Sequence, residues 1–329
     1  MMRRIDSLQA LRFFAAIMVA ALHIQQAGRT LDGLPIYGGF LSNTGSFGVD
    51  VFFVLSGFII AKTASGKSPS QFLRLRLSRV VPFYWLLTAA YLPFASQAGA
   101  LTWGSLAATL TFYPPFGQPI LHVGWTLCFE MLFYLVTAWT LYRPQVFVPL
   151  ALIAFALCWC LREAIGGPFG FFGNPLILEF LAGVLIARVN YRSAWVGGAA
   201  AAAGAASLLF IGCKGIGPVN AVAYLVNGDL ALQRVIWVGL PAACVVYAAL
   251  QVQLKRGLLS HLGDASYSLY LVHPIVIAAL ISLLPKLSGY VFVPVALGLS
   301  IVAAVAAHRW IEQPLIAALR RPRAALAVT

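Results

Sequence analysis

The sequence predicts an all-α, polytopic integral-membrane bundle of about ten transmembrane helices with both termini cytoplasmic. Three observations predict it. Of the 329 residues, 61% are hydrophobic and only 9% charged, whereas a soluble domain carries about a quarter charged residues. Many apolar runs reach the roughly 20 residues needed to cross a hydrocarbon core. The basic residues also gather on alternate connections between those runs, as they do in membrane proteins oriented by positive charge.

Taken in order, the first span, 8–26, follows Arg3 and Arg4 and carries Arg12 and His23. No small-residue cleavage pattern lies behind it, so it reads as a retained span and not a removed leader. The second, 44–62, carries Asp50 and closes at Lys62. The third, 78–97, opens behind Arg74, Arg76 and Arg79. A more amphipathic piece at 100–113 reads as interfacial or re-entrant. The fourth span, 120–141, holds Glu130, and the fifth covers 146–162. The sixth, 175–190, is short and has Glu179 one turn in. The seventh, 194–212, contains a Gly/Ala run that suits close packing. The eighth, 229–251, precedes Lys255 and Arg256; the ninth, 264–284, contains His273-Pro274; the tenth is 289–311. There is no long linker, soluble domain or internal repeat, so residues 1–329 read as one membrane domain.

With ten spans, sixteen of the 22 lysines and arginines fall on the side of the termini and five (Arg29, Arg162, Lys214, Arg234 and Lys286) on the other, Arg12 lying within the first span. The positive-inside rule makes the sixteen-residue side cytoplasmic. Topology and attraction to anionic membrane lipids account for the +13 net charge, and no nucleic acid is needed to explain it. The five cysteines lack metal-ligand spacing and read as buried small apolar residues.

Ionisable residues inside the bilayer carry the functional signal, because a charge facing lipid is expensive. Arg12 and His23 are eleven residues apart, three turns plus about 20°, so they share a face about 16.5 Å apart along the axis. Asp50 and Glu130 are acids in other spans, able to orient a histidine or neutralise a cation. Arg76 and Arg79 share a face if helical. Their forks suit phosphate oxygens, although a basic anchor followed by the aromatic pair Tyr84 and Trp85 is the plainer explanation. Ser56-Gly57 suits helix packing, with an acylated Ser56 a less economical option. His273 reads as support for a proline-interrupted helix, and His122 as interfacial, with contact to an acceptor sugar the other option. Tyr267 and Tyr270 pack by default and line a cavity at most. Glu312 pairs with a nearby arginine. No metal cluster, phosphate loop or nucleophile elbow is present. A secondary transporter or flippase would also bury Arg, His, Asp and Glu, though with paired repeats.

Six motifs in order carry a resemblance: Arg12-x10-His23; Gly48-Val-Asp50-x-Phe-Phe-Val-Leu-Ser56-Gly57-Phe; Arg76-x-x-Arg79-x-x-Pro82-x-Tyr84-Trp85; Trp125-Thr-Leu-x-x-Glu130-x-x-Phe-Tyr; Ser266-Tyr-Ser-Leu-Tyr270-Leu-x-His273-Pro274; and Glu312-x-Pro314. Together they make the chain resemble the membrane acyltransferase family 3 over nearly its whole length. The resemblance implies transfer of an acyl group, most often acetyl, from cytoplasmic acyl-CoA to hydroxyls of exported or surface glycans. It also implies an inner-membrane location and an essential Arg12–His23 pair. The chain ends soon after its last span, which resembles the stand-alone branch where exopolysaccharide acetylases are common. On this expectation His23 is the general base, oriented by Asp50 or Glu130. Arg12, Arg76, Arg79, Tyr84 and Trp85 hold the donor, and Ser56, His122, Trp125, Tyr270 and His273 lie near the substrate. Acyl-CoA, a glycan acceptor and membrane lipids are the implied partners.

Overall fold

The computed structural model describes residues 4–32, 38–189, 193–217 and 222–320, and every regular element among them is helical. Among the described residues nine segments are long and apolar enough to cross a membrane by length and composition: Asp6–Leu31, Gly39–Ala64, His122–Tyr142, Pro144–Ile165, Pro168–Arg188, Ala194–Lys214, Ala231–Gln251, Ser266–Leu283 and Gly289–Arg320. The expected third span falls inside a longer helix, Pro69–Gln97, which is not among the nine. Its arginines, tyrosines, tryptophan and two internal prolines dilute an otherwise apolar run.

Helix α1 (Asp6–Asp32) is the central element and packs on five partners besides the short helix that follows it. The first is α3 (Phe47–Ala64), entered through the short α2 (Gly38–Thr44). The others are α13 (Leu240–Gln251), α14 (Leu258–Asp264), α15 (Ser266–Leu283) and α16 (Gly289–Ala307). Arg4 ties the start of α1 to α14, donating to Asp6 at 2.8 Å and to Asp264 at 2.9 Å. Helix α4 (Pro69–Gln97) begins at a full capping box, Ser68 with Gln71, and has proline at its first position, where the missing N–H costs nothing. The amphipathic piece becomes α5 (Trp103–Thr111), capped by Thr102 and Ser105. It ends at Phe112 in the left-handed region, φ 55°, which folds the chain back so that Phe112 lies on Tyr84.

Helices α6 (Trp125–Tyr142) and α7 (Pro144–Ile165) follow; α7 lies on the periphery, packing on α6 on one side while burying no residue fully. The expected 175–190 span is α8 (Pro168–Phe172) joined to α9 (Ile177–Arg188). Helix α9 packs more extensively on α3 than any other pair packs. Small residues explain this, as is usual between membrane helices. A Cβ on Gly57 would strike the Phe180 backbone, and one on Gly183 would strike the Val54 carbonyl. Beyond α10 (Ala194–Lys214) and α11 (Val222–Asn227), the eighth span is interrupted. Here α12 (Ala231–Arg234) passes through a π-turn, Val235–Gly239, into α13. A second π-turn, His308–Glu312, joins α16 to α17 (Gln313–Arg320). Of the cysteines only Cys128 is buried; Cys160 and Cys213 are exposed on outward faces, so the small-apolar-residue account holds but the burial does not.

Candidate functional site

Helices α1, α3, α4, α6 and α15 line a partly open cavity of about 100 Å³. Its polar lining comes from Arg12, Ser56, Arg76, Arg79, Thr126, Glu130, Tyr134, Tyr267 and Tyr270. Five of the six motifs therefore meet in one space, all but Glu312-x-Pro314. Within it, Glu130 accepts a hydrogen bond from Ser56 Oγ at 3.1 Å and one from Tyr134 Oη at 2.5 Å. Gly57 faces α9, in keeping with the helix-packing reading, while its neighbour Ser56 turns into the cavity.

The two motif arginines separate in role. Arg76 is engaged: it donates to Thr63 Oγ1 and to the Ile59 carbonyl, and its guanidinium lies over the rings of Phe72 and Tyr134, 5.7 and 5.8 Å from their centroids. Arg79 makes no hydrogen bond or ion pair with any described residue. Arg12 donates only to Gln9 Oε1, at 3.2 Å, and meets no carboxylate. Both of these less-engaged arginines also line a second, more polar and more open space of about 400 Å³ with Arg4, Arg256, Asp264 and His308. Arg12, Arg79 and Ile59 thus form the waist between two chambers. Unpaired guanidinium groups at such a waist can receive an anion with planar, bidentate geometry.

At its far end the inner chamber stops at Tyr270, which donates to the Val123 carbonyl at 2.9 Å and lies 2.9 Å from Thr126 Oγ1. The ring of His273, one turn further along α15, is 6.1 Å from that of Tyr270. His273 is fully buried, and its Nε2 lies 2.9 Å from Nδ1 of His23. The edge of the exposed His122 ring meets the same His23 ring, with centroids 5.0 Å apart. His23 therefore points inward, between one buried and one exposed histidine. It does not itself line the chamber.

The expected acid partners of His23 are elsewhere. Asp50 is bound in a bidentate pair by Arg234, Nε to Oδ1 at 2.9 Å and Nη2 to Oδ2 at 2.6 Å, and both side chains are buried. Arg234 also donates to the Ser46 carbonyl. The desolvated cation and anion satisfy each other, which leaves no reason for Asp50 to turn toward an imidazole. Glu130 is occupied by Ser56 and Tyr134. The orienting group on His23 is a second histidine.

Other expectations also shift. Tyr84 is fully buried against Gly124 and Phe112, and Trp85 is exposed with Nε1 donating to the Thr109 carbonyl; neither lines a chamber. Trp125 packs against Phe53 and Phe129. Glu312 accepts from Ser268 and His308, not from an arginine. Glu179 is buried and fits into the space left by Gly239 in the first π-turn. Arg234 was assigned to a membrane surface by the sequence. The available signal was its place five residues inside the expected 229–251 span.

The fold and these chambers define a polytopic membrane protein built around an interior arginine waist that leads toward a buried histidine pair. The chain belongs to acyltransferase family 3: the family model described as "Acyltransferase domain" matches residues 5–309. It is similar to the exopolysaccharide production protein ExoZ of Rhizobium meliloti (strain 1021), with 35% identity over 306 residues, covering 85% of this chain and 91% of that protein. It is also similar to the acyltransferase MdmB of Streptomyces mycarofaciens, with 26% identity over 321 residues, covering 83% of this chain and 79% of that protein. No solved structure matches it.

Proposed function

We propose that the protein is an O-acetyltransferase of the bacterial inner membrane that moves the acetyl group of cytoplasmic acetyl-CoA onto a hydroxyl of an exported polysaccharide. The observation that carries the reading is the pair of arginines without carboxylate partners, Arg12 and Arg79, at the waist between the two chambers. The phosphates of acyl-CoA engage the basic outer chamber. The pantetheine arm passes the waist and delivers the thioester toward His23, a distance comparable to the rise of about 16.5 Å between Arg12 and His23.

His23 takes the proton of the acceptor hydroxyl as general base. The oxygen forms the new C–O bond at the thioester carbonyl, the C–S bond breaks, and the departing thiolate recovers the proton from the imidazolium. The printed name of ExoZ, which concerns exopolysaccharide production, supports an exopolysaccharide acceptor.

The topology proposed with this activity counts α4 as the tenth span, since its 29 residues extend about 43 Å. Both termini and the basic chamber then face the cytoplasm. Membranes containing the protein, supplied with radiolabelled acetyl-CoA, transfer label to the glycan fraction of an exopolysaccharide-producing host, and membranes lacking it do not. Absence of transfer by the wild type sinks the reading, and is what a transporter gives.

A further inference from the structure

The hydrogen bonds around the two histidines fix which nitrogen carries which hydrogen. His273 Nδ1 lies 3.0 Å from the Leu269 carbonyl. A carbonyl oxygen only accepts, so this nitrogen holds the hydrogen of the neutral ring. His273 Nε2 is then a lone-pair acceptor. His23 Nδ1, 2.9 Å away, must be the donor. The geometry is that of a good in-plane bond: the rings are within 5° of parallel, and their centroid separation of 5.2 Å equals the N–N distance plus the two ring radii. The rings therefore lie end to end in one plane and are not face to face. Reversing both tautomers would set the Nδ1 lone pair of His273 against the carbonyl oxygen, inside a site with no exposure to water.

What remains is His23 Nε2. It makes no hydrogen bond with any described residue, and it is not among the side-chain nitrogens and oxygens that are both buried and unpartnered. It is open, with the exposed His122 ring beside it.

We propose that His273 is a positioning residue that holds His23 in its Nδ1–H tautomer and so dedicates Nε2 to taking the acceptor's proton. The inference rests on the acyl-transfer reading above. It gives a buried neutral histidine, anchored on a backbone carbonyl, the part that a carboxylate plays in a histidine–acid dyad. Such an arrangement suits this site because it orients the base without adding a charge to the bilayer interior, where an unpaired carboxylate is costly. It also accounts for the placement of Asp50 and Glu130, which are consumed by Arg234 and by the Ser56–Tyr134 pair. The adjoining Pro274 lacks an N–H and leaves the Tyr270 carbonyl without its helical donor, which loosens the turn on which His273 sits.

The test uses the full chain in membranes with radiolabelled acetyl-CoA and the host's glycan fraction. His273→Phe keeps the ring's bulk but removes the acceptor, and lowers turnover by about 100-fold with KM for acetyl-CoA unchanged. His273→Gln places a carbonyl oxygen near the position of Nε2 and recovers turnover to within about tenfold of wild type. A purely structural role moves phenylalanine and glutamine variants together, alongside their melting temperatures, and that outcome overturns the proposal; so does full turnover in His273→Phe. An independent readout is the ¹⁵N NMR spectrum of histidine-labelled protein in detergent, with His23 assigned by its own substitution. The expected spectrum has a protonated Nδ1 and an unprotonated Nε2, and the opposite tautomer overturns the proposal without any assay. Absence of transfer by the wild type overturns the acyl-transfer reading instead, which separates the two failures.

Discussion

Asp50 and Arg234, 184 positions apart in the chain, form a bidentate ion pair with Oδ2 and Nη2 2.6 Å apart and side-chain exposures of 0% and 1%. Neither charge has water to fall back on. Removing one partner leaves the other buried and uncompensated, which costs about 3–5 kcal/mol.

Asp50→Ala should therefore lower the melting temperature of the detergent-solubilised protein sharply, and Arg234→Met should do the same. Combining Asp50→Leu with Arg234→Met should restore much of the loss, since apolar replacement of a buried pair is often neutral. A melting curve for Asp50→Ala superimposable on wild type would refute the structural role assigned to the pair.

His23→Ala should abolish label transfer while costing about 1–3 kcal/mol of stability, because it leaves the buried Nε2 of His273 without its donor but the protein folded. Transfer near the wild-type rate would remove His23 from the chemistry.

Arg79→Ala and Arg76→Ala should differ in kind. Arg79 has no partner to lose, so its removal should raise KM for acetyl-CoA by about 10- to 100-fold, the worth of one charge-assisted hydrogen bond, and leave the melting temperature in place. Arg76 holds Thr63, the Ile59 carbonyl and two aromatic faces, so its removal should appear first as lost stability. Steady-state kinetics with parallel thermal melts decides, and identical profiles for both variants would contradict the division of roles.

Gly57→Leu should destabilise the protein by at least about 1–3 kcal/mol, because the added atoms meet backbone and not a movable side chain. Gly198→Ala, where a Cβ would meet nothing within 4 Å, should be silent. Equal yields and melting temperatures for the two variants would mean that α3 and α9 are not in close contact.

Much of this architecture was legible beforehand, and the reason is local. The start of α3, the extent of α6 and the separate amphipathic helix α5 follow from the length of an apolar run and the polar residues that bound it, both of which sit in one stretch of sequence. Arg12 and His23 were placed on an inward face by helical period alone. The partners were not legible. Period and hydropathy say that Asp50 needs a counter-charge but not that Arg234 supplies it, since that choice depends on which helices touch. The His23–His273 bond spans 250 positions and has the same origin. Tyr84 and Trp85 misled because an aromatic pair behind a basic cluster suits both a donor pocket and an interfacial belt, and only the packing of α4 against α5 separates the two.

The closure of the inner chamber at Tyr270, Thr126 and the Val123 carbonyl has a bearing on the cell as well as on the reaction. A bacterial membrane stores energy as a proton gradient, and any continuous file of water from one face to the other would discharge it. On the acyl-transfer reading proposed above, the hydroxyl contact of Tyr270 with Thr126 and the Val123 carbonyl stands between the donor chamber and the histidines. A transferase of that kind has to admit its reactants without opening such a file, which makes insulation as much a part of the design as rate.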